Sequence, residues 1–374
     1  MSSAKERLES LDVLRGIDMF FLVFIEPFCK AVLRAVVAEP QTHWLWHFFD
    51  HVPWHGFCFW DMIMPLFMFM SGITIPFAMA KYRDRKAPMV QFWKRIIKRF
   101  ILLFILGAMV QGGLLDFDIH TLSLYSNTLQ AIAVGYVVAA ILFVYTPVRF
   151  QFGAAAFLLA GFAAVVAIFG GNSYEVGNNL VETIDKNVLG HFRDGVDWVD
   201  GRYVFNPGYN YTWILSSMNF AVTAMLGCFT GTALRKEDWT PVKKVRNLLI
   251  CGAMMIVAAL LLDPVLPIIK HIWSSSMTLL SGGISMMAMA VTYYIVDVKK
   301  FNKGLDWLKY YGMNAIVAYC VYHLVNFSSI PTSLLHGTAH LIGNWYPFLI
   351  SFCCLLIQFL ILRYLYRHNI FIRV

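Results

Sequence analysis

The chain of 374 residues carries a formal net charge of +8, and 59% of its residues are hydrophobic while 14% are charged. Soluble domains have roughly 45–50% apolar and about 25% charged residues, so this composition excludes an ordinary soluble protein. The 31 Phe, 17 Tyr and 11 Trp also exclude a disordered chain and disfavour a nucleic-acid-binding protein. The composition predicts an all-α, polytopic membrane protein.

Apolar stretches follow one another along the whole chain, and each approaches the about 20 residues that a membrane-crossing helix needs. They predict a single transmembrane domain over 1–374 with about ten helices. The stretches lie near 11–38, 55–80, 92–115, 125–146, 150–170, 213–234, 246–263, 272–296, 307–326 and 345–366. The longest connecting segment, 171–212, is too polar to enter lipid.

Lysine and arginine are distributed unevenly between the connecting segments. Of the 30 basic residues, six fall on the side opposite the N-terminus: Lys30, Arg34, Lys186, Arg193, Arg202 and Lys270. Because short cytoplasmic segments carry an excess of basic residues, both termini are predicted to be cytoplasmic and the helix number to be even. The segments expected to face outward are 39–54, 116–124, 171–212, 264–271 and 327–344.

The first predicted helix carries several ionisable residues, which are functional candidates inside a membrane. Asp12 and Arg15 lie at its cytoplasmic end, where a local ion pair or a helix cap is the alternative interpretation. Glu26, Lys30 and Arg34 are four residues apart and therefore share one helical face. They form either a polar functional site or a simple Glu26–Lys30 pair with Arg34 reaching outward.

The cysteines and histidines do not predict a metal centre. The seven cysteines lack paired ligand spacing and almost all lie in apolar runs, so we interpret them as small buried side chains. Histidines recur every four residues, a spacing that can hold a metal on a helix: His43, His47, His51 and His55. Pro53 interrupts any helix there, so one histidine is expected instead to act as a base or nucleophile.

The most informative stretch combines a histidine with a membrane-embedded acid. Asp61 falls at least one turn inside the second predicted span, where an unpaired carboxylate is costly. It therefore requires an imidazole or a cation as partner. The pattern of this stretch is His51, Trp54, Gly56, Asp61, Pro65, Phe67, Phe69 and Gly72.

Together with the opening motif at 7–16, this pattern resembles the heparan-alpha-glucosaminide N-acetyltransferase family of transmembrane acyltransferases. Further matches lie at 129–130, Asn219, 270–274, 296–298 and 312–314. The resemblance covers about residues 7 to 325. It implies transfer of an acetyl group from cytoplasmic acetyl-CoA to the amine of an amino sugar or glycan on the outer side of the membrane.

The resemblance also implies roles for individual residues. His51 is expected to be catalytic, either as a base for the acceptor amine or as a nucleophile that forms an acetyl-imidazole, with Asp61 orienting its ring. The expected phosphate partners of CoA are Arg15, Arg95, Lys98 and Arg99. For these cations, setting the membrane topology is the alternative interpretation.

The expected acceptor-binding residues come from several predicted helices: Glu26, Gln130, Asn219, Lys270, Trp273, Ser274 and Asn314. Three of them are candidate donors to a developing oxyanion, namely Asn219, Ser274 and Asn314. Hydrogen bonding between helices is the alternative for these three side chains. No metal is expected.

Several alternatives remain open at the level of sequence. Glu26 stands where the family usually has Asn, so the acceptor and the choice between N- and O-acylation stay open. A transporter whose Asp18, Glu26 and Asp61 relay protons or bind a polar solute is the alternative from another class. The resemblance implies a homodimer. The absence of the animal enzyme's N-terminal lumenal domain and the shortness of the chain predict a bacterial inner membrane. The spacing of Gly227 and Gly231 permits close helix packing, within one chain or between two.

Overall fold

The computed structural model describes residues 8–171, 173–206 and 211–372. Arg7, the first residue of the opening motif, lies outside these ranges. Within them the chain forms α1 (Glu9–Phe20), α2 (Glu26–Val36), α3 (Trp44–Phe48), α4 (Ile63–Arg83), α5 (Met89–Val110), α6 (Thr128–Tyr145), α7 (Val148–Phe169), α8 (Leu180–Leu189), α9 (Ser217–Leu234), α10 (Pro241–Leu262), α11 (Ser275–Tyr293), α12 (Leu308–Met313), α13 (Ala315–Leu324), α14 (Ser329–Leu335), α15 (Ala339–Ile342) and α16 (Tyr346–Arg367).

Seven helical segments in the described residues are long and apolar enough to cross a membrane: Phe59–Arg83, Thr128–Tyr145, Val148–Phe169, Ser217–Leu234, Pro241–Leu262, Ser275–Val298 and Ser329–Arg367. The chain is therefore an integral membrane protein with a helical architecture, as its composition predicted. Three of the ten predicted stretches are missing from this set. The stretches 11–38 and 92–115 form helices that carry several charges, and 307–326 is interrupted at Asn314.

The described residues divide into two compact units. The first comprises residues up to His51, the short segment Cys58–Ile63 and the chain from Ala288 onward. The second comprises Val52–Phe57 and Met64–Met287. The predicted single domain over 1–374 stays a prediction.

In the first unit, α1 continues into α2 through a π-helical turn, Phe21–Ile25. Helix α12 packs against α1 with backbone in contact with backbone. A side chain at Gly16 would overlap the carbonyl of Leu308, and one at Gly312 would overlap the carbonyl of Asp12. Two small residues at these crossing points therefore set the spacing between the helices.

In the second unit, α4, α6 and α9 form the buried centre. Gly227 and Gly231 of α9 lie against the backbone of α4, because a Cβ at either position would overlap the carbonyl of Phe69 or Ile73. The close packing that these glycines permit is thus used within one chain. Helices α7 and α10 instead expose most of their apolar side chains, as expected for surfaces that face lipid tails.

The connecting segment 171–212 contains the only strands of the described residues. β1 (Tyr174–Glu175) pairs antiparallel with β2 (Asn178–Asn179), and β3 (Val196–Val199) pairs with β4 (Arg202–Phe205). The all-α prediction did not include these two hairpins, but it is correct for the apolar segments, which are helical. The segment is polar and locally ordered, which fits its predicted position outside the lipid.

A buried carboxylate fastens this segment to the start of α9. The side chain of Asp185 in α8 accepts the backbone N–H groups of Trp213 at 2.6 Å and Ile214 at 3.0 Å. Asp185 is fully buried, and burial raises its pKa from 3.8 to about 6, against the opposing effect of these hydrogen bonds and of Arg193. The folded state therefore binds a proton at this site more tightly than the unfolded chain does.

We expect this carboxyl group to make stability depend on pH. Because its folded pKa lies above its unfolded pKa, its contribution is largest below about pH 4 and is lost as the pH rises to about 6, by up to about 3 kcal/mol. Asp185→Asn is expected to remove this pH dependence. Thermal unfolding of both proteins in detergent between pH 4 and pH 7 tests this, and equal pH slopes would contradict it.

Candidate active site

His51 and Asp61 are joined by a hydrogen bond of 2.8 Å between Nδ1 and Oδ1. Asp61 lies in the 3-10 turn Phe59–Met62, which leads into α4. Its side chain is completely buried, whereas that of His51 is 40% exposed. A carboxylate that holds the Nδ1–H of an imidazole places the basic lone pair on Nε2. The pair therefore has the geometry of an oriented base or nucleophile.

Cys58 supports the other oxygen of the same carboxylate. Its backbone N–H donates to Asp61 Oδ2 at 3.0 Å, and its thiol lies 3.1 Å from that oxygen. The thiol is also 3.0 Å from the carbonyl of Asp50. The apolar sequence around Cys58 predicts a small buried side chain, whereas the thiol contacts this carboxylate. Cys58 stands three residues before Asp61, which is the spacing of a capping box. This spacing is the sequence signal that could have predicted the contact between the two side chains.

Removal of this thiol is expected to impair the orientation of Asp61 rather than the fold. We expect Cys58→Ala to lower kcat about five- to tenfold, because a thiol is a weak donor whose hydrogen bond contributes about 1–1.4 kcal/mol, within the range of a typical hydrogen bond. Cys58→Ser keeps a donor and is expected to remain within about twofold of wild type. Steady-state kinetics of the acetyl transfer that the resemblance implies compare the two variants. Equal losses in both would show that the thiol acts only through packing.

An ion-pair network ties the segment before His51 to α2. Lys30 Nζ lies 3.0 Å from Glu26 Oε1 and 2.8 Å from Asp50 Oδ1. The simple Glu26–Lys30 pair is thus present, and Asp50 joins it. Since Asp50 directly precedes His51, the network helps to fix the backbone from which the histidine projects.

Aromatic rings pack around the turn that holds Asp61. The ring of Phe59 lies 5.2 Å from that of Phe21 in the π-helical turn and 4.9 Å from that of Phe48. The ring of Trp60 lies 5.4 Å from that of Phe49. These contacts place the carboxylate of Asp61 beside the π-helical turn of the long first helix.

In the second unit, the rest of the same motif pairs with the segment before α11. The N–H of Gly56 donates to Ile268 O at 2.9 Å, and Gly56 has a φ of 112°, which favours glycine. The indole of Trp54 stacks on the ring of His271 at 5.4 Å and donates to Tyr174 O at 2.7 Å. The spacing of Trp54 and Gly56 in the motif thus corresponds to a defined turn beside stacked aromatic rings, the aromatic platform of Trp54 and His271.

Several predicted acceptor-binding residues meet just after this platform. Asn219 Nδ2 donates to Trp273 O at 2.7 Å, and Trp273 Nε1 donates to Thr223 at 3.2 Å. Ser274 Oγ accepts the N–H of Ile269 at 3.1 Å. All three predicted residues are buried, and Trp273 has a left-handed φ of 49°, a strained conformation for a bulky residue.

The remaining predicted acceptor residues are dispersed. Buried Lys270 lies with its Nζ 6.0 Å from the ring centroid of Tyr211 in the second unit. Gln130 caps the start of α6, where its Oε1 accepts the N–H groups of residues 126 and 127 at 2.8 and 3.1 Å. Asn314, in the first unit, bonds the backbone of Ile370 and Ile372. The structure gives Gln130 and Asn314 local structural partners.

The predicted phosphate-binding cations also differ in their surroundings. Arg15 is partly buried in α1. Arg95 and Lys98 are exposed on α5, where Arg99 shares their face and lies with its guanidinium 3.8 Å from the ring centroid of Tyr136. The side of α5 that carries these three cations is therefore available to an anionic ligand. Across the described residues, no group of three His, Cys, Asp or Glu side chains is arranged to hold a metal ion.

Comparison with known proteins agrees with the resemblance drawn from the motifs. Residues 7–151 match the family described as "Domain of unknown function (DUF5009)". Heparan-alpha-glucosaminide N-acetyltransferase of Mus musculus is 22% identical over 367 residues, and that of Homo sapiens is 22% identical over 373 residues. Each comparison covers 85% of this chain and 53% of the relative, so the chain spans about half the length of the curated relatives it matches. The chain is therefore distantly similar to heparan-alpha-glucosaminide N-acetyltransferase, and its residues 7–151 resemble the DUF5009 family.

Proposed function

We propose that this protein is a membrane acetyltransferase that moves an acetyl group from acetyl-CoA to an amino sugar or glycan across the membrane. The observation that carries the proposal is the 2.8 Å contact between His51 Nδ1 and the buried carboxylate of Asp61. An oriented imidazole on a buried acid is the arrangement that acyl transfer requires. The distant homology supports the same reaction class.

In this reaction His51 Nε2 serves either as a general base or as a nucleophile. It either removes the proton of the acceptor amine or attacks the thioester carbon to form a transient acetyl-imidazole. Asp61 holds the ring in one orientation and stabilises the imidazolium that either route generates. Cys58 and the Lys30–Asp50 pair fix the elements from which these two side chains project.

The donor and the acceptor approach from opposite sides. The excess of lysine and arginine on the side of the N-terminus supports cytoplasmic termini and a cytoplasmic entry for CoA. Arg15, Arg95, Lys98 and Arg99 are the proposed partners of its phosphates. The segment 171–212 is proposed to face the acceptor. The protein is proposed to form a homodimer and to lie in a bacterial inner membrane.

Glu26 and Trp54 are proposed to serve the acceptor, each on its own evidence. The carboxylate of Glu26, paired with Lys30, can accept a hydrogen bond from an amine, and the indole of Trp54 suits the apolar face of a sugar ring. Together with the distant homology, these properties support N-acetylation of an amino sugar as the proposed reaction.

The test follows a radiolabelled acetyl group from acetyl-CoA into a panel of glucosamine derivatives, with the purified protein in lipid nanodiscs. Label is expected in the amide of an amino sugar and not in a glycan that lacks free amines. Label in hydroxyl groups alone would redirect the proposal to O-acylation. If the protein neither transfers label nor binds CoA, the acetyltransferase proposal is wrong and the transporter interpretation takes its place.

A further inference from the structure

Asp18 is a buried acid that the proposed mechanism does not use. Asp18 is only 2% exposed to solvent. Within the described residues, it is the only carboxyl group whose two oxygens are both buried without a hydrogen-bond partner. A carboxylate in such surroundings is costly, whereas a neutral carboxylic acid is tolerated much better. The surroundings of Asp18 therefore favour an acid that retains its proton.

The position of Asp18 on α1 relates it to the proposed site. Arg15 is three residues before Asp18 and Phe21 three residues after it, so each is a neighbour of Asp18 on adjoining turns, and all three lie within about 10 Å along the helix axis. The ring of Phe21 lies 5.2 Å from that of Phe59, in the turn that contains Asp61. Asp18 thus lies between the proposed phosphate partner Arg15 and the level of the turn that holds Asp61.

A second feature singles out the same place. The α-helical pattern changes to a π-helical turn at Phe21–Ile25, directly after the turn that carries Asp18. Such turns are rare, and they are found frequently at functional sites because they leave irregular backbone in an otherwise regular helix. An unpaired acid and an irregular turn thus adjoin on one helix, next to the turn that contains Asp61.

We propose that Asp18 donates a proton to the thiolate of CoA as it leaves the acetyl group. The inference rests on the proposed acetyltransferase function. In this proposal, a CoA molecule with its phosphates near Arg15 and its thioester near His51 passes the level of Asp18 on α1. The neutral acid of Asp18 then supplies the proton for the departing sulfur.

The step is balanced in atoms and charge. The attacking nitrogen forms a bond to the acetyl carbon, the carbon–sulfur bond breaks, and its electron pair stays on sulfur. The Asp18 proton moves to that sulfur, which gives the CoA thiol and an Asp18 carboxylate. The acceptor amine loses one proton to His51 when its amide forms, His51 passes it to solvent, and Asp18 regains one proton from solvent before the next cycle.

The test compares two acetyl donors and Asp18→Asn, which keeps the shape of the neutral acid and removes its transferable proton. With acetyl-CoA, Asp18→Asn is expected to lower kcat about 100-fold. With an aryl thioacetate, whose thiol is far more acidic and leaves without a proton, the variant is expected to stay within about twofold of wild type. Asp12→Asn, on the same helix, is the matched control and is expected to show no such dependence on the donor.

The solvent deuterium isotope effect on turnover of acetyl-CoA is the second measurement. It is expected to be larger in wild type and in Asp18→Glu than in Asp18→Asn, which lacks the proton transfer to sulfur. An unchanged isotope effect, full activity of Asp18→Asn, or equal losses with both donors would overturn the inference while wild-type transfer continues. Absence of transfer by wild type itself would instead refute the proposed function.

Discussion

His51→Ala is expected to lower acetyl transfer from acetyl-CoA by at least about 1,000-fold, because it removes the group that acts as base or nucleophile. The loss is expected in kcat, with little change in the affinity for CoA, since the proposed phosphate partners lie elsewhere. The measurement is single-turnover transfer of labelled acetyl groups, together with equilibrium binding of CoA. Asp61→Asn is expected to show a smaller loss, about 100-fold or more, because His51 remains but its ring is no longer held by a carboxylate.

The matched control is His47→Ala, four residues before His51 in the same segment and near the end of α3. His47 is exposed and is expected to retain transfer within about twofold. If His51→Ala transfers acetyl groups as fast as His47→Ala, the protein is still an acetyltransferase, but His51 has no part in the chemistry. Trapping labelled acetyl on wild-type protein would distinguish the acetyl-imidazole route from the direct one.

Gly227→Ala is expected to be the most destabilising single-methyl substitution in the second unit. A Cβ at Gly227 would overlap the backbone carbonyl of Phe69, and neither helix can move away without separating the buried centre formed with α6. We expect a loss of at least about 3 kcal/mol, since overpacking against backbone costs more than overpacking against a flexible side chain. The measurement is thermal unfolding in detergent.

Gly153→Ala provides the matched control for this substitution. Gly153 also lies inside a helix, α7, but a Cβ there would meet no atom within 4 Å. Because alanine favours the helix by about 0.5–1 kcal/mol over glycine, Gly153→Ala is expected to be neutral or slightly stabilising. If Gly227→Ala behaved like Gly153→Ala, α9 and α4 would not be in backbone contact.

The sequence predicted the class of the protein and the partner of Asp61 better than it predicted the details of the helices. A membrane-embedded acid requires a partner, and the structure places the imidazole of His51 on Asp61. The π-helical turn and the break at Asn314 were not predictable from apolar periodicity, because both depend on how neighbouring segments pack. The close approach at Gly227 was recognised, but its partner helix is a property of the tertiary fold.

The predicted acceptor site shows the limits of assigning roles by motif alone. Gln130 and Asn314 matched motif positions, yet their amide groups satisfy backbone donors and acceptors at a helix start and at a chain end. Cys58 had no motif assignment, yet its thiol contacts the central carboxylate. Side-chain type at a fixed spacing predicts which residues are constrained. Whether the constraint is chemical or structural follows only from the atoms that each side chain meets.

The π-helical turn at Phe21–Ile25 contains one residue more than an α-helical turn would over the same height. Because the turn accommodates this extra residue, its deletion is expected to restore a regular α-helix while Glu26 and Lys30 still face Asp50. Asp12, Arg15 and Asp18 would keep their places as well. The turn can therefore absorb a one-residue difference in length between the two halves of the first helix. A single-residue insertion or deletion at this point would leave both the proposed donor half and the proposed acceptor half in register.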